Sequence, residues 1–296
     1  MPLRIGIVGT DTSHAEAFPR ILLGRKLDGG AFADVKITRF WTDGKHEGRI
    51  KYLTGIGAER VHGPPELMLG AVDAVLLELV KGDTHLEAAA PFVKAKVPLF
   101  IDKPFAGSWD HARKLAALIR EHGAPVQSGS SLRFAPETAD LLTKIAGQKV
   151  ASWLFTGPNP GGFYDYGNHT IEVALGALGG RNSAVGVKWV FDGGTGNDDV
   201  LQLGLPDGKV ATVVTTESPK PGFAAAAVTD KGLHTRAYDN KTGGGWYYAL
   251  MTEVTKFFET GKPTLPMDAV MEVMKIIEAA ERSKKSGAKV ELASVE

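Results

Sequence analysis

Apolar positions along the first 125 residues follow two alternating rhythms. Short continuous runs, Ile5 to Val8, Val35 to Trp41, Ala71 to Leu77 and Val97 to Ile101, read as buried strands. Between them the spacing lengthens to the helical period. The clearest case is Ala112, Leu115, Ala116 and Ile119, one face of a helix with Ser108 as its N-cap and Gly123 as its stop. An earlier helix runs from about Ser13 to Leu23. Thr84-His85-Leu86-Glu87 has capping-box spacing, with Thr84 as cap and Glu87 reaching back, and Pro91 predicts a kink in the helix that follows. This alternation predicts βαβ units around a parallel sheet.

The pattern changes after Gln127. Lys149 to Phe155, Ala184 to Phe191, Val200 to Leu205 and Lys209 to Thr216 read as strands, and Pro206-Asp207-Gly208 is a turn joining two of them as a hairpin. That is antiparallel grammar. The tail returns to helix. Tyr247, Leu250, Met251, Val254, Phe257 and Phe258 make one stripe, stopped by Gly261 and Pro263, and Met267, Val270, Met271, Met274 and Ile277 make another, ended near Gly287. The methionines in these stripes read as core filler. Two domains follow, residues 1–127 and 128–296, and a length of 296 residues agrees with that division.

Composition narrows the function classes. Lys plus Arg number 34 and Asp plus Glu number 34, without a long run of either sign, so the basic stripe of a nucleic-acid binder is missing. Cysteine is absent, which excludes disulfides, thiolate nucleophiles, zinc–thiolate sites and iron–sulfur clusters. The opening residues lack the signal-peptide pattern, and no stretch reaches the ~18 apolar residues of a membrane span. The expectation is a cytoplasmic protein with a small-molecule substrate, without nucleic-acid or membrane partners.

Three constellations carry candidate chemistry. The first is the turn after the first strand, Gly9-Thr10-Asp11-Thr12-Ser13-His14, where a dinucleotide fold places its phosphate loop. Of the G-x-G-x-x-G glycines only Gly9 remains; Asp11 and His14 hold the other two places. A carboxylate beside a pyrophosphate is unfavourable, since like charges ~4 Å apart repel by roughly 4 kcal/mol at an effective dielectric of about 20. Asp11 escapes this by pointing away, by pairing with His14 or a lysine, or by capping the helix; an ordinary N-cap loop built on Asp11, Thr12 or Ser13 is the plainer reading. Asp43, near the end of the second strand, is a candidate for ribose hydroxyls.

The second is Asp102-Lys103-Pro104, just beyond the fourth strand, the edge at which open α/β sheets bind ligands. Lys103 there can donate to a substrate oxygen and stabilise charge developing on it, or be a charged strand-end turn. The third is Gly162-Phe163-Tyr164-Asp165-Tyr166-Gly167-Asn168-His169. If a helix begins near Asp165, that residue and His169 are spaced i and i+4 on one face. An acid beside a histidine suits a general base, a pair of divalent-metal ligands, or a structural contact at a helix start.

Together and in this order, these motifs resemble the Gfo/Idh/MocA family of oxidoreductases. The likeness also includes Thr84-His85, Ser130-Ser131-Leu132-Arg133-Phe134-Ala135-Pro136 as a domain-crossing segment, and the Ala279 to Ser283 and Gly287 to Val290 stretches. The resemblance implies an α/β fold: an N-terminal Rossmann-like parallel sheet over 1–127, and over 128–296 a C-terminal α/β domain with a large, mainly antiparallel open sheet serving substrate binding and oligomerisation. It implies NAD or NADP as cofactor, bound by Gly9, Thr10, Asp11, Ser13, His14 and Asp43. Lys103 would polarise the reacting oxygen, His169 would act as general base and Asp165 would orient substrate and histidine. Tyr164, Arg133 and Trp246 are candidate contacts to a sugar- or polyol-like substrate, with packing the plainer role for each. A homo-oligomer formed through the C-terminal sheet is expected.

The two missing loop glycines keep a second reading open, a redox-neutral lyase (retro-aldolase or dehydratase) using the same acid–base residues without nucleotide turnover. A divalent metal enters only under that alternative; the oxidoreductase reading assigns none. A non-catalytic sensor would not need Lys103, Asp165 and His169, which are present.

Overall fold

The computed structural model describes residues 2–24, 34–217 and 222–296. The chain divides into two compact units, Met1–Gly129 with Leu250–Met267, and Ser130–Ala249 with Asp268–Glu296. The sequence places one boundary near residue 127. It does not anticipate that residues 250–267 group with the first unit.

The first unit is built on six strands. They are Leu3–Val8 (β1), Val35–Trp41 (β2), Glu59–Arg60 (β3), Ala74–Leu77 (β4), Leu99–Ile101 (β5) and Val126–Ser128 (β6), interleaved with helices His14–Gly24 (α1), Glu47–Gly55 (α2), His85–Lys94 (α3) and Trp109–His122 (α4). All pairings are parallel, in the order β3-β2-β1-β4-β5-β6. This is the dinucleotide-fold order, and it reverses between β1 and β4. Val75, Leu76, Leu77, Phe100 and Ile101 are fully buried, as strands covered on both faces must be. β3 and β6, with two and three residues, are too short to leave a pattern of their own.

Helix α4 begins and ends where its sequence predicts. Ser108 Oγ accepts from the backbone N–H of His111 at 3.2 Å, and Gly123 closes the helix in the left-handed conformation. Ser108→Ala should therefore lower stability by about 1 kcal/mol, read as a lower urea midpoint at unchanged slope. The capping box at Thr84 is not formed. Thr84 lies in a short 3₁₀ turn with helical backbone angles, and its hydroxyl donates to Lys81 O at 2.7 Å, so it cannot serve as the extended cap residue. Pro91 sits inside α3 without ending it.

The second unit carries a seven-stranded sheet. Its strands are Val150–Pro158 (β7), Trp189–Asp192 (β8), Asp199–Gly204 (β9), Val210–Thr216 (β10), Ala224–Thr229 (β11), Gly232–Ala237 (β12) and Val290–Glu291 (β13), in the order β12-β11-β7-β10-β9-β8-β13. Among the described residues only the central β7–β10 pair is parallel; the other five pairings are antiparallel. The β9–β10 hairpin turns at Pro206-Asp207-Gly208, as its turn residues predict. Helices Pro136–Lys144 (α5) and Asn168–Leu178 (α6) belong to this unit, and α6 is buried through Ile171, Val173, Ala174 and Leu175. Helix Trp246–Thr260 (α7) starts in the second unit and continues in the first, and helix Met267–Ser286 (α8) returns to the second. The predicted stripes are their buried faces: Leu250, Met251, Val254, Phe257 and Phe258 on α7, and Val270, Met274 and Ile277 on α8.

Candidate active site

The turn between β1 and α1 is shaped by polar ties in place of the missing glycines. Gly9 has φ 106°, and a Cβ there would fall 2.8 Å from Glu78 O, so this one glycine is dictated by the backbone. Thr10 Oγ1 lies 2.5 Å from Thr42 Oγ1, and Thr10 O accepts from the Arg49 guanidinium at 2.9 Å. Asp11 turns toward the neighbouring loop, accepting from the backbone N–H of Val80 at 3.1 Å. His14 directs Nδ1 to Asp102 Oδ2 at 2.5 Å, with both residues buried. The two residues standing in for glycine are therefore anchored to different strands' ends. The contact described for Asp11 is thus the one to the loop after β4.

Burial raises the Asp102 carboxyl, but the charge and hydrogen bond of His14, with the Lys103 ammonium and backbone N–H, outweigh it and hold the group below its usual range. Glu78 behaves oppositely: burial pushes its carboxyl well above the usual range, and the charges of Asp102 and Asp11 push the same way. His85 is buried, with Nε2 2.8 Å from Leu79 O and Nδ1 3.3 Å from Phe105 O. It thus joins the loop after β4 to the loop after β5, and burial lowers its pKa. Lys103 is half-buried, and its backbone N–H donates to Asp102 Oδ1 at 2.8 Å.

A cavity of about 800 Å³ opens in the first unit at this carboxyl edge. Asp11, Trp41, Asp43, Lys45, Leu79, Val80, Thr84 and Pro91 are among its walls. It is large enough for the adenosine part of a dinucleotide, and apolar walls with a few polar groups are what such a site requires. Asp43 follows β2, where its carboxylate can accept from ribose hydroxyls. Hydrogen bonding from the Lys45 backbone N–H, with the Lys45 ammonium 3.1 Å away, holds its pKa below the usual range. Lys45, Leu79 and Val80 carry no motif of their own, and only the fold gathers them here. The residues present thus fit a dinucleotide.

In the second unit, β7 leads through Gly161 and Gly162 into a single π turn over Phe163–Gly167, whose last N–H bonds back five residues to Gly162 O at 3.1 Å. Helix α6 opens only at Asn168, so the premise of an α-helix beginning at Asp165 does not hold. Asp165 is exposed, whereas His169 is 8% exposed. The partner found for His169 Nδ1 is Ser130 Oγ at 2.6 Å, a residue that sequence spacing could not supply from 39 positions away. Aromatic rings flank the imidazole: Tyr166 at 4.9 Å and Phe223 at 6.0 Å, with Trp246 edge-on to Phe223 at 5.9 Å.

Residues 3–130 match the family model described as "Oxidoreductase family, NAD-binding Rossmann fold" under the heading GFO_IDH_MocA. The first unit thus matches the Gfo/Idh/MocA family model over residues 3–130. The Bacillus subtilis (strain 168) protein named "Uncharacterized oxidoreductase YrbE" is 25% identical over 124 residues, which is 41% of this chain and 33% of that protein. The match thus spans about a third of the curated relative's length. Solved structures share the fold over nearly the whole chain. GenD2 from gentamicin A biosynthesis, in complex with NAD, is 19% identical with a TM-score of 0.80, covering 98% of this chain and 96% of that one. A myo-inositol dehydrogenase from Corynebacterium glutamicum ATCC 13032 is 16% identical with a TM-score of 0.80 and covers 99% of each chain.

Within this fold the predicted substrate contacts fare differently. Tyr164 lies half-buried in the π turn, its carbonyl accepting from Asn168 Nδ2 at 3.1 Å. Trp246 gives its indole N–H to the buried carboxylate of Glu137 at 3.1 Å, so it offers a ring and not a donor. Arg133 is 0% exposed. It is bound to Glu172 Oε2 at 2.8 Å, Ser183 O at 2.7 Å and Arg181 O at 3.2 Å. Enclosed this way it is a structural residue, because a substrate contact would require removing a guanidinium from partners that already satisfy it.

Proposed function

We propose that this protein is an NAD-dependent dehydrogenase that interconverts a secondary hydroxyl and the matching ketone on a sugar- or polyol-like small molecule. The observation that carries this reading is the cavity at the carboxyl edge of the parallel sheet, with Asp43 in its wall where β2 ends. When bound, the nicotinamide supplies the hydride acceptor. The chain's own residues manage the proton and the oxygen. Ser130 Oγ lies 2.6 Å from His169 Nδ1. In the tautomer protonated at Nδ1, that N–H donates to the serine hydroxyl, and Nε2 is left as the base that takes the substrate's hydroxyl proton. Lys103 holds the reacting oxygen, and Asp165 orients the substrate through its hydroxyls. The rings of Tyr166, Phe223 and Trp246 offer an apolar surface suited to the carbon face of a sugar ring. The myo-inositol dehydrogenase whose fold this chain shares makes a polyhydroxylated substrate the first class to test. It also favours redox chemistry over the lyase alternative.

The test is NAD⁺ reduction at 340 nm with a panel of inositols and aldoses. Turnover with at least one of them, and faster with NAD⁺ than NADP⁺, is expected; none with either nucleotide across the panel would reject the reading. Asp43 sets the preference, since its charge accepts from ribose hydroxyls and repels a 2′-phosphate. Asp43→Ser should shift the kcat/KM ratio toward NADP⁺ by about tenfold, equivalent to ~1.4 kcal/mol.

The outer face of the C-terminal sheet supports a homo-oligomer. Leu154, Val200, Val228 and Leu233 are exposed on it, with Leu154 paired across the strands to Ala226 and Thr212. A patch of this kind on one sheet face marks an interaction surface. Leu154→Lys with Val228→Lys should convert an oligomer into a monomer by light scattering. A wild-type monomer would remove the proposal.

A further inference from the structure

We propose that His14, Glu78 and Asp102 bind one divalent metal ion of the nitrogen/oxygen-preferring class, with zinc as the reference ion. These residues come from three elements that the sheet order makes neighbours. His14 opens α1 beyond β1, Glu78 directly follows β4, and Asp102 directly follows β5. One ligand atom from each lies within 4.8 Å of the other two. All three side chains are enclosed, at 7%, 0% and 2% exposure.

Glu78 makes this more than a cluster of acids. It is the one polar residue in the run Ala74 to Val80, at a place where an apolar side chain would fit the pattern. Neither carboxylate oxygen has a hydrogen-bond partner among the described residues. A buried carboxylate must be compensated by a donor, a proton or a cation. Donors are absent. A proton neutralises Glu78 in the metal-free chain, as burial and the charges of Asp102 and Asp11 favour, and an incoming metal would displace it. A divalent cation satisfies the oxygens as they stand, and its two charges match those of Glu78 and Asp102 while the imidazole stays neutral. One imidazole and two carboxylates suit zinc and its first-row neighbours, and three protein ligands leave a position open for water or an incoming oxygen. The His14–Asp102 bond of 2.5 Å is the contact those two groups would exchange for the ion. Sequence reasoning placed a possible metal at Asp165 and His169. The second-unit pair lacks a third enclosed ligand of this kind among the described residues.

The test uses the full chain, stripped with chelator and dialysed, and needs neither dinucleotide nor substrate. Its failure and failure of the proposed reaction are therefore separate results. Titration with Co²⁺, followed by visible d–d absorption, and with Zn²⁺, followed by calorimetry, should each saturate at one ion per chain. Zn²⁺ should bleach the cobalt spectrum. Glu78→Gln, which keeps the shape and removes the charge, and His14→Gln should each weaken binding at least 100-fold. His111→Ala, in the His111–Asp83 pair outside the cluster, should leave it unchanged. Metal should raise the melting temperature of the wild type but not of Glu78→Gln. A wild-type chain that takes up no stoichiometric metal, or a Glu78→Gln variant that binds as tightly, would overturn the proposal. The wild-type titration decides the matter even if a variant does not fold.

Discussion

Replacing His169 with asparagine is expected to lower kcat by between about 10² and 10⁴, the range that general-base catalysis supplies. NADH affinity should stay close to wild type, because the residue belongs to the second unit and has no assigned part in cofactor binding. Asparagine keeps a polar side chain that can reach Ser130 Oγ, so the loss reports on proton transfer and not on an emptied site. Ser130→Ala separates positioning from chemistry. The ring would keep its base but lose the contact at Nδ1, so the loss in kcat should be smaller than that of His169→Asn. Lys103→Ala should lower kcat independently. In a double-mutant cycle with His169→Asn the losses should be less than additive if both act on one substrate. Wild-type kcat in His169→Asn, measured under single-turnover conditions, would remove the residue from the mechanism.

Arg133→Ala is expected to cost about 3–5 kcal/mol of stability, the penalty for leaving a buried charge without its partner. Arg133 and Glu172 form an ion pair at 2.8 Å with both side chains enclosed, and Glu172 Oε1 also accepts from the backbone N–H of Ser130 at 3.0 Å. The pair therefore secures the segment whose hydroxyl holds His169. Urea unfolding should show the loss at unchanged slope, and Arg133→Ala with Glu172→Gln should recover part of it, since the orphaned charge is then gone. A single variant within about 0.5 kcal/mol of wild type, the scatter of surface substitutions, would contradict the structural role.

Periodicity carried the parallel sheet, α4 with both of its ends, the β9–β10 hairpin and the α7 and α8 stripes, because each imprints a repeat or a turn signal on contiguous residues. Elements shorter than one repeat left none, which is why β3 and β6 escaped notice. The Thr84 cap failed for a different reason: the spacing was right, but the backbone had already turned helical. Around the site, the motif residues were legible and their partners were not. Ser130 lies 39 residues from His169, and Asp102 lies 88 residues from His14, distances that only the fold closes. Glu78 was hidden more thoroughly. Within an apolar strand end it reads as a lapse in pattern, and only its burial without a donor shows it as a feature. Arg133 was misleading for the opposite reason, since a cation in a crossing segment suggests a ligand contact until its partners are seen. The π turn escaped because the i, i+4 argument presumes 3.6 residues per turn, and one wider turn moves Asp165 out of that register.

Binding of dinucleotide to the purified full chain is the most direct test of the central claim. Titrated into the protein and followed by calorimetry or by its fluorescence, NADH should saturate at one molecule per chain, and Asp43→Ser should weaken it while NADPH binds the wild type more weakly than NADH. Absence of saturable binding of either nucleotide at millimolar concentration would contradict the account, because the cavity beside β2 would then serve something other than a nicotinamide cofactor.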